Sequence, residues 1–146
     1  ENPMYSRLVL RADKTGKEDG YINTYELYNL SMNADLAVLS GCNTGIGKLV
    51  NNEGIMSLAR GFKYAGCSSI IVTLWSVDDK TTAYIMSDFY KHLSHGKNIS
   101  SSLRDAKLEY ISTTIPETAA PFYWAGLTNI GQNKVLELKP RNQLFH

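Results

Sequence analysis

The residue most able to do chemistry is the thiol of Cys42. It stands in Asp35-Leu-Ala-Val-Leu-Ser-Gly-Cys-Asn-Thr-Gly-Ile-Gly-Lys48, where a short apolar run ends in a glycine-spaced loop. A thiol becomes a working nucleophile when a cation, a helix N-terminus or a base lowers its pKa or takes its proton. A loop between a strand and a helix also offers backbone N–H groups to a developing oxyanion. A cysteine can equally be a small buried hydrophobe, and the residue types alone leave both readings open.

The other candidates are weaker. A phosphate-binding loop needs Gly, four residues, then Gly-Lys-Ser/Thr. Counting back from Gly47-Lys48 puts Cys42 at the first glycine and Leu49 at the hydroxyl, so the pattern fails. The dinucleotide pattern from Gly45 and Gly47 fails at Val50. His92 and His95 lack the further ligands of a metal site and read as cations near a helix C-terminus. Neither a metal nor a cofactor is expected. Asp78 or Asp79 can cap a helix, and one of them remains free to act as a substrate-binding acid. Trp75 and Trp124 read as core, and Cys67 as a buried thiol with no disulfide to Cys42.

The elements that must position these groups follow from periodicity. Leu8-Val-Leu10 reads as a strand or strand end, and residues 14–20 as a surface loop. Asn23 and Glu26 have the spacing of a capping box and open a short helix over about residues 24–30, with Leu27 and Leu30 inward. Leu36, Val38 and Leu39 read as a buried strand ending at Cys42. Ile55, Leu58, Ala59, Phe62 and Ala65 form the apolar stripe of a helix that Gly66 stops. Residues 67–75 are the next strand, giving a right-handed βαβ unit with Cys42 and residues 76–79 on one sheet edge. A helix to about Ser94, with Ala83, Met86, Phe89, Tyr90 and Leu93 inward, ends at Gly96. Another, over about residues 99–112, buries Ile99, Leu103, Ala106 and Tyr110. Residues 116–121 read as a loop and 122–130 as a last strand. Val135, Leu136 and Leu138 could form an edge strand. No internal repeat or second domain is visible, so residues 1–146 read as a single α/β domain.

Composition excludes several classes. The chain is 43% hydrophobic and 20% charged, as an ordinary globular protein is. A net charge of +1 argues for neither nucleic acid nor an anionic membrane as partner. No apolar run approaches the roughly 20 residues of a membrane span, and the N-terminus lacks a signal-peptide pattern. Two cysteines suit a reducing cytoplasm. A start at Glu1 suggests a fragment or a processed product.

The ordered motifs add a resemblance. Leu39-Ser-Gly-Cys-Asn-Thr-Gly45, Asn52-Glu-Gly54, Leu58-Ala-Arg60-Gly-Phe62, Tyr64-Ala-Gly66, Leu74-Trp-Ser-Val-Asp-Asp79 and Phe89-Tyr90 resemble the CHAT domain. So do Asn2-Pro-Met-Tyr-Ser-Arg-Leu-Val-Leu10 before them and Pro121-Phe-Tyr-Trp-Ala125 after them. These are caspase-like cysteine peptidases, related to separase and often fused to tetratricopeptide repeats. The resemblance implies a caspase-like three-layer αβα sandwich with a mostly parallel central sheet, lacking its first strands here. It implies a cysteine endopeptidase in which Cys42 is the nucleophile of a Cys–His dyad. Backbone N–H groups at Gly41 and Cys42 would hold the oxyanion, and Asp79, with Asp78 beside it, would line the pocket for the residue before the cut. The chain departs from the family where Gly41 replaces Ala, Asn43 replaces Glu, and Asn52 replaces the first Gly of Gly-Glu-Gly. The family's catalytic His lies in a His-Gly pair upstream of the Asn2-Pro3 motif, so it must come from outside this chain, and the fragment alone should be inactive. His95-Gly96 matches the pair in letters but closes a helix. The implied partners are a protein or peptide substrate, the upstream half of the same domain, and tetratricopeptide repeats or another regulatory subunit. The alternative is a catalytically silent interaction module on the same fold. Without the first strands, Leu36, Val38 and residues 70–72 could face water on one side.

Overall fold

The computed structural model describes residues 6–9, 20–39 and 52–137. It resolves helices and mixed sheets, as an α/β chain requires. The chain divides into two compact units, Glu1–Val77 with Gly126–Gly131, and Asp78–Ala125 with Gln132–His146.

In the first unit β1 (Arg7–Val9) pairs antiparallel with β2 (Tyr21–Asn23). The sequence reading missed β2, because three residues leading straight into a helix give no alternation to detect. The helix α1 (Thr24–Leu27) begins at Asn23, whose backbone N–H donates to Glu26 Oε2 at 2.7 Å and whose side-chain amide donates to the same oxygen at 2.9 Å. It is one turn long and stops short of residue 30. Leu27 is buried as expected, whereas Leu30 lies beyond the last turn and is exposed.

The strand β3 (Ala37–Leu39), the helix α2 (Asn52–Tyr64) and the strand β4 (Ser69–Thr73) form the expected βαβ unit. β3 and β4 are parallel, with Ala37 opposite Ile70 and Leu39 opposite Val72. Ala59 of α2 packs with Cys67, Ile70 and Val72 into the core, joined by Leu39, Ile55, Phe62 and Ile130. Gly66 ends α2 at φ +107°, a left-handed conformation that a Cβ disfavours. Gly66 N–H donates to the Lys63 carbonyl and Cys67 N–H to that of Phe62, the paired bonds of a Schellman stop. β4 is shorter than the predicted 67–75. Residues 70–72 are 0% exposed, so the expectation that they would face water is overturned; Leu36 and Val38 are half-buried.

The final strand β5 (Leu127–Gly131) runs antiparallel to β4, so the described sheet is the mixed order β3-β4-β5. The predicted strand over 122–130 is only half right. Its first residues form the one-turn helix α5 (Pro121–Trp124), with proline in the first turn and Trp124 Nε1 donating to the Ala119 carbonyl at 3.0 Å. Gly126 then joins the two edges of the unit. Its carbonyl accepts from Leu74 N–H at 2.9 Å, and a Cβ there would stand 2.8 Å from the Trp75 ring.

In the second unit α3 (Asp79–Ser94) and α4 (Ile99–Thr113) pack on each other. α4 buries Ile99, Leu103, Ala106 and Tyr110 as expected. The inner face of α3 keeps Met86, Phe89 and Leu93 of the predicted stripe and differs at the other two positions. It carries Thr82, Ile85, Met86, Phe89 and Leu93, while Ala83 and Tyr90 are exposed. Ile85 anchors the face that the expected stripe missed. The residues around Val135 do not form an edge strand. Val135 makes a single bridge to Asn98, Ile99 N–H donates to the Lys134 carbonyl, and Ser100 N–H donates to Asn133 Oδ1, so the segment clamps the start of α4. Leu138 lies outside the described residues.

Gly126→Ala should therefore push the Trp75 ring off β5. We expect a loss of about 1–3 kcal/mol of stability, read as a lower denaturant midpoint at unchanged slope. Unchanged stability would show that Trp75 can move freely.

Candidate active site

The parallel pairing of β3 and β4 puts the carboxyl ends of both strands on one edge of the sheet. In open α/β sheets such an edge is where ligands bind. Cys42 and Gly41 belong to the connection between β3 and α2 and lie outside the described residues, as do Asn43 and the rest of 40–51. The structure thus fixes the strand that leads into the loop and the helix that leaves it.

Thr73, the last residue of β4, was passed over in the sequence. It is 2% exposed, and its Oγ1 has no hydrogen-bond partner among the described residues. Nothing in its residue type could have marked it, since a threonine in a strand is ordinary.

The acids separate into two roles. Asp78 is the N-cap of α3, its Oδ2 accepting from Thr81 N–H at 3.0 Å. Asp79 is the first residue of the helix and is exposed. The cap is braced from below. Thr81 Oγ1 lies 3.3 Å from Tyr110 Oη, which donates to the Thr118 carbonyl at 3.1 Å. Burial pushes the Tyr110 phenol up, but its hydrogen bonds with Thr81, Thr114 and Thr118 outweigh that and leave its pKa below the ordinary value.

Both helical histidines have structural work at the end of α3. His95 is the C-cap; its Nδ1 lies 2.6 Å from the Lys91 carbonyl. Gly96 follows at φ +78°, and Gly96 and Lys97 N–H groups donate to Leu93 and His92 carbonyls, a second Schellman stop. His92 Nε2 faces Glu109 Oε2 of α4 at 3.5 Å, too poorly aligned for a hydrogen bond. His95-Gly96 therefore closes a helix, as its position in the sequence indicates. No group of three or more His, Cys, Asp or Glu among the described residues could hold a metal.

Cys67 is a buried free thiol, 1% exposed, whose Sγ donates to the Ser69 carbonyl at 3.1 Å. That is a packing role, as the sequence suggested. Trp75 and Trp124 are each half-buried, Trp75 covering Gly126 and Trp124 lying 5.9 Å from Lys107 Nζ. No described helix is long and apolar enough to cross a membrane.

Comparisons with known proteins bear on the family. The chain is 32% identical over 108 residues to tetratricopeptide repeat protein 28 of Mus musculus, and 28% identical over 108 residues to the Homo sapiens protein of the same name. Each match covers 74% of this chain but only 4% of the relative, so the chain spans a small part of these proteins' length. No solved structure matches. The family model of the CHAT domain matches residues 1–132. With the β3-α2-β4 unit and the motif order described above, this settles the assignment: the chain belongs to the CHAT domain family, a caspase-like family.

Proposed function

We propose that residues 1–146 are the carboxyl-terminal, nucleophile-bearing part of a single CHAT domain that acts as a cysteine endopeptidase. The observation that carries this reading is the match over residues 1–132, which spans Leu39-Ser-Gly-Cys-Asn-Thr-Gly45 on the connection leaving the carboxyl edge of β3. A module that only bound partners would have no need of a thiol in that loop.

In this reading the Cys42 sulfur gives up its proton to a histidine outside residues 1–146 and attacks the carbonyl carbon of the scissile peptide. The N–H groups at Gly41 and Cys42 take the oxyanion. The histidine then returns the proton to the leaving amine as the C–N bond breaks, leaving an acyl-thioester on Cys42. Water, deprotonated by the same histidine, releases the acid and restores the thiol. The engagement of His95 in its helix cap supports an outside base. The family resemblance makes Asp79, with the α3 cap Asp78 beside it, the candidate to receive a basic side chain before the cut. The names of the relatives favour a tetratricopeptide-repeat array as the regulatory partner. Reduced thiol chemistry of this kind suits the cytoplasm.

The decisive measurement is labelling of the complete protein by an electrophilic peptide probe, with mass spectrometry of the adduct. A single adduct on Cys42, absent from a Cys42→Ala variant, is expected. A complete, partner-activated protein that leaves the probe untouched would sink the peptidase reading and favour a silent interaction module.

The two acids should part company on substitution. Asp78→Ala should lower stability by about 1 kcal/mol through loss of the cap, seen in thermal unfolding. Asp79→Ala should reduce kcat/KM about tenfold or more for peptides with Lys or Arg before the cut and leave that for neutral peptides nearly unchanged. Equal loss on neutral and basic peptides would remove Asp79 from the substrate pocket.

A further inference from the structure

The helix α2 also carries a groove at the border of the βαβ core. Tyr28 beyond α1, Met56, Ala59, Arg60, Lys63 and Tyr64 of α2, and Ile130 of β5 line an open groove of about 400 Å³. Its wall is apolar and aromatic. The rings of Tyr28 and Tyr64 meet at 5.0 Å in a tilted pair, and Tyr64 is 71% exposed. A concave groove of this volume, walled by apolar and aromatic side chains with a few polar groups, has the form of a binding site.

Charge says what kind. Both ionisable non-tyrosine groups in the lining are cations, Arg60 and Lys63, and none of the described lining residues is an acid. Lys63 Nζ is anchored by the Ser68 carbonyl at 2.8 Å, which holds an ammonium beside the end of β5. Arg60 is exposed one turn away on the same helix. Tyrosine rings with an arginine beside them are residue types enriched at binding hot spots, and Lys63 adds a second positive charge. Complementarity therefore calls for an occupant with apolar side chains and carboxylates.

Most of this chain's own segments outside the description do not have that chemistry. Residues 138–146 carry Lys139 and Arg141 and no acid, and residues 40–51 have no acid either. Residues 10–19 hold acids but, after Leu10, no large apolar side chain. Residues 1–5, with Glu1, Met4 and Tyr5, are the intramolecular rival.

We propose that the α2–β5 groove is a docking site for an acidic, apolar peptide segment of another protein, separate from the chemistry assigned to Cys42. The segment would lay an aliphatic or aromatic side chain against the Tyr28–Tyr64 ring pair and direct carboxylates to Arg60 and Lys63.

The test is fluorescence polarisation of a labelled Glu-Asp-Leu-Phe-Asp-Glu peptide with the complete protein carrying Cys42→Ala, so that loss of the peptidase reading cannot affect the result. Saturable binding is expected, weakened roughly tenfold by Arg60→Glu, by Tyr64→Ala and by raised salt, and absent for the same peptide with lysines in place of its acids. Arg60 and Tyr64 are exposed, so thermal unfolding of both variants should match the parent chain. No binding, equal binding of the lysine peptide, or equal binding by the Arg60→Glu variant would overturn the proposal. So would tighter binding after Met4→Ala with Tyr5→Ala, because residues 1–5 would then be the occupant.

Discussion

β4 has a paired neighbour on each edge, β3 parallel and β5 antiparallel, and every one of its residues is buried. A strand in that position has no face on which polarity is tolerated and no edge left for other pairing. Its register sets the positions of everything around it. Leu39 is held opposite Val72, which fixes where the chain enters the loop of Cys42; Leu127 is held opposite Thr73, which brings Gly126 beneath Trp75. A slip of one residue would turn Ile70 and Val72 away from Ala59 and move both ends of the sheet edge together.

The helix ends carry the second constraint. α2 and α3 both stop at a glycine with positive φ, each with the paired bonds that satisfy the last carbonyls. These stops decide where Cys67 leads into β4 and where Lys97 turns the chain toward α4. On the far side of α4 the same economy appears in Lys97, whose ammonium sits 2.8 Å from Asp105 Oδ2. That hydrogen bond, against a smaller opposing effect of desolvation, holds the Asp105 carboxyl below its ordinary range. A depressed acid stabilises the folded state above its unfolded pKa and loses that contribution as pH falls through the folded one. The pair is exposed, so its effect is small and screened by salt.

The functions proposed for this scaffold divide between a loop and a helix. In the proposed reading Cys42 depends on a histidine outside residues 1–146, so nucleophile and base would meet only in the complete domain. At the start of α3, Asp78 caps the helix and Asp79 is its first residue, where an acid suits the helix dipole. The groove on α2 is lined by side chains at the border of the core, with Ala59 and Ile130 at its floor and Arg60, Lys63 and Tyr64 exposed.

Much of this was legible in the sequence. The apolar stripe of α2, the glycine stops at 66 and 96, the near-continuous run of β4 and the acidic start of α3 are local signals with local causes, and each element stands where its residues put it. The family could be read from ordered motifs, and with it the standing of Cys42 as the leading candidate. Other features needed the tertiary structure. β2 is too short to show a period. Which face of α3 turns inward was decided by Ile85 finding a partner surface, not by the hydrophobicity of Tyr90. The residues of Pro121-Phe-Tyr-Trp124 have strand propensity, yet proline in the first turn and the Trp124–Ala119 bond make them a helical turn. The direction of β5 and the burial of residues 70–72 follow from long-range pairing, which no local pattern encodes.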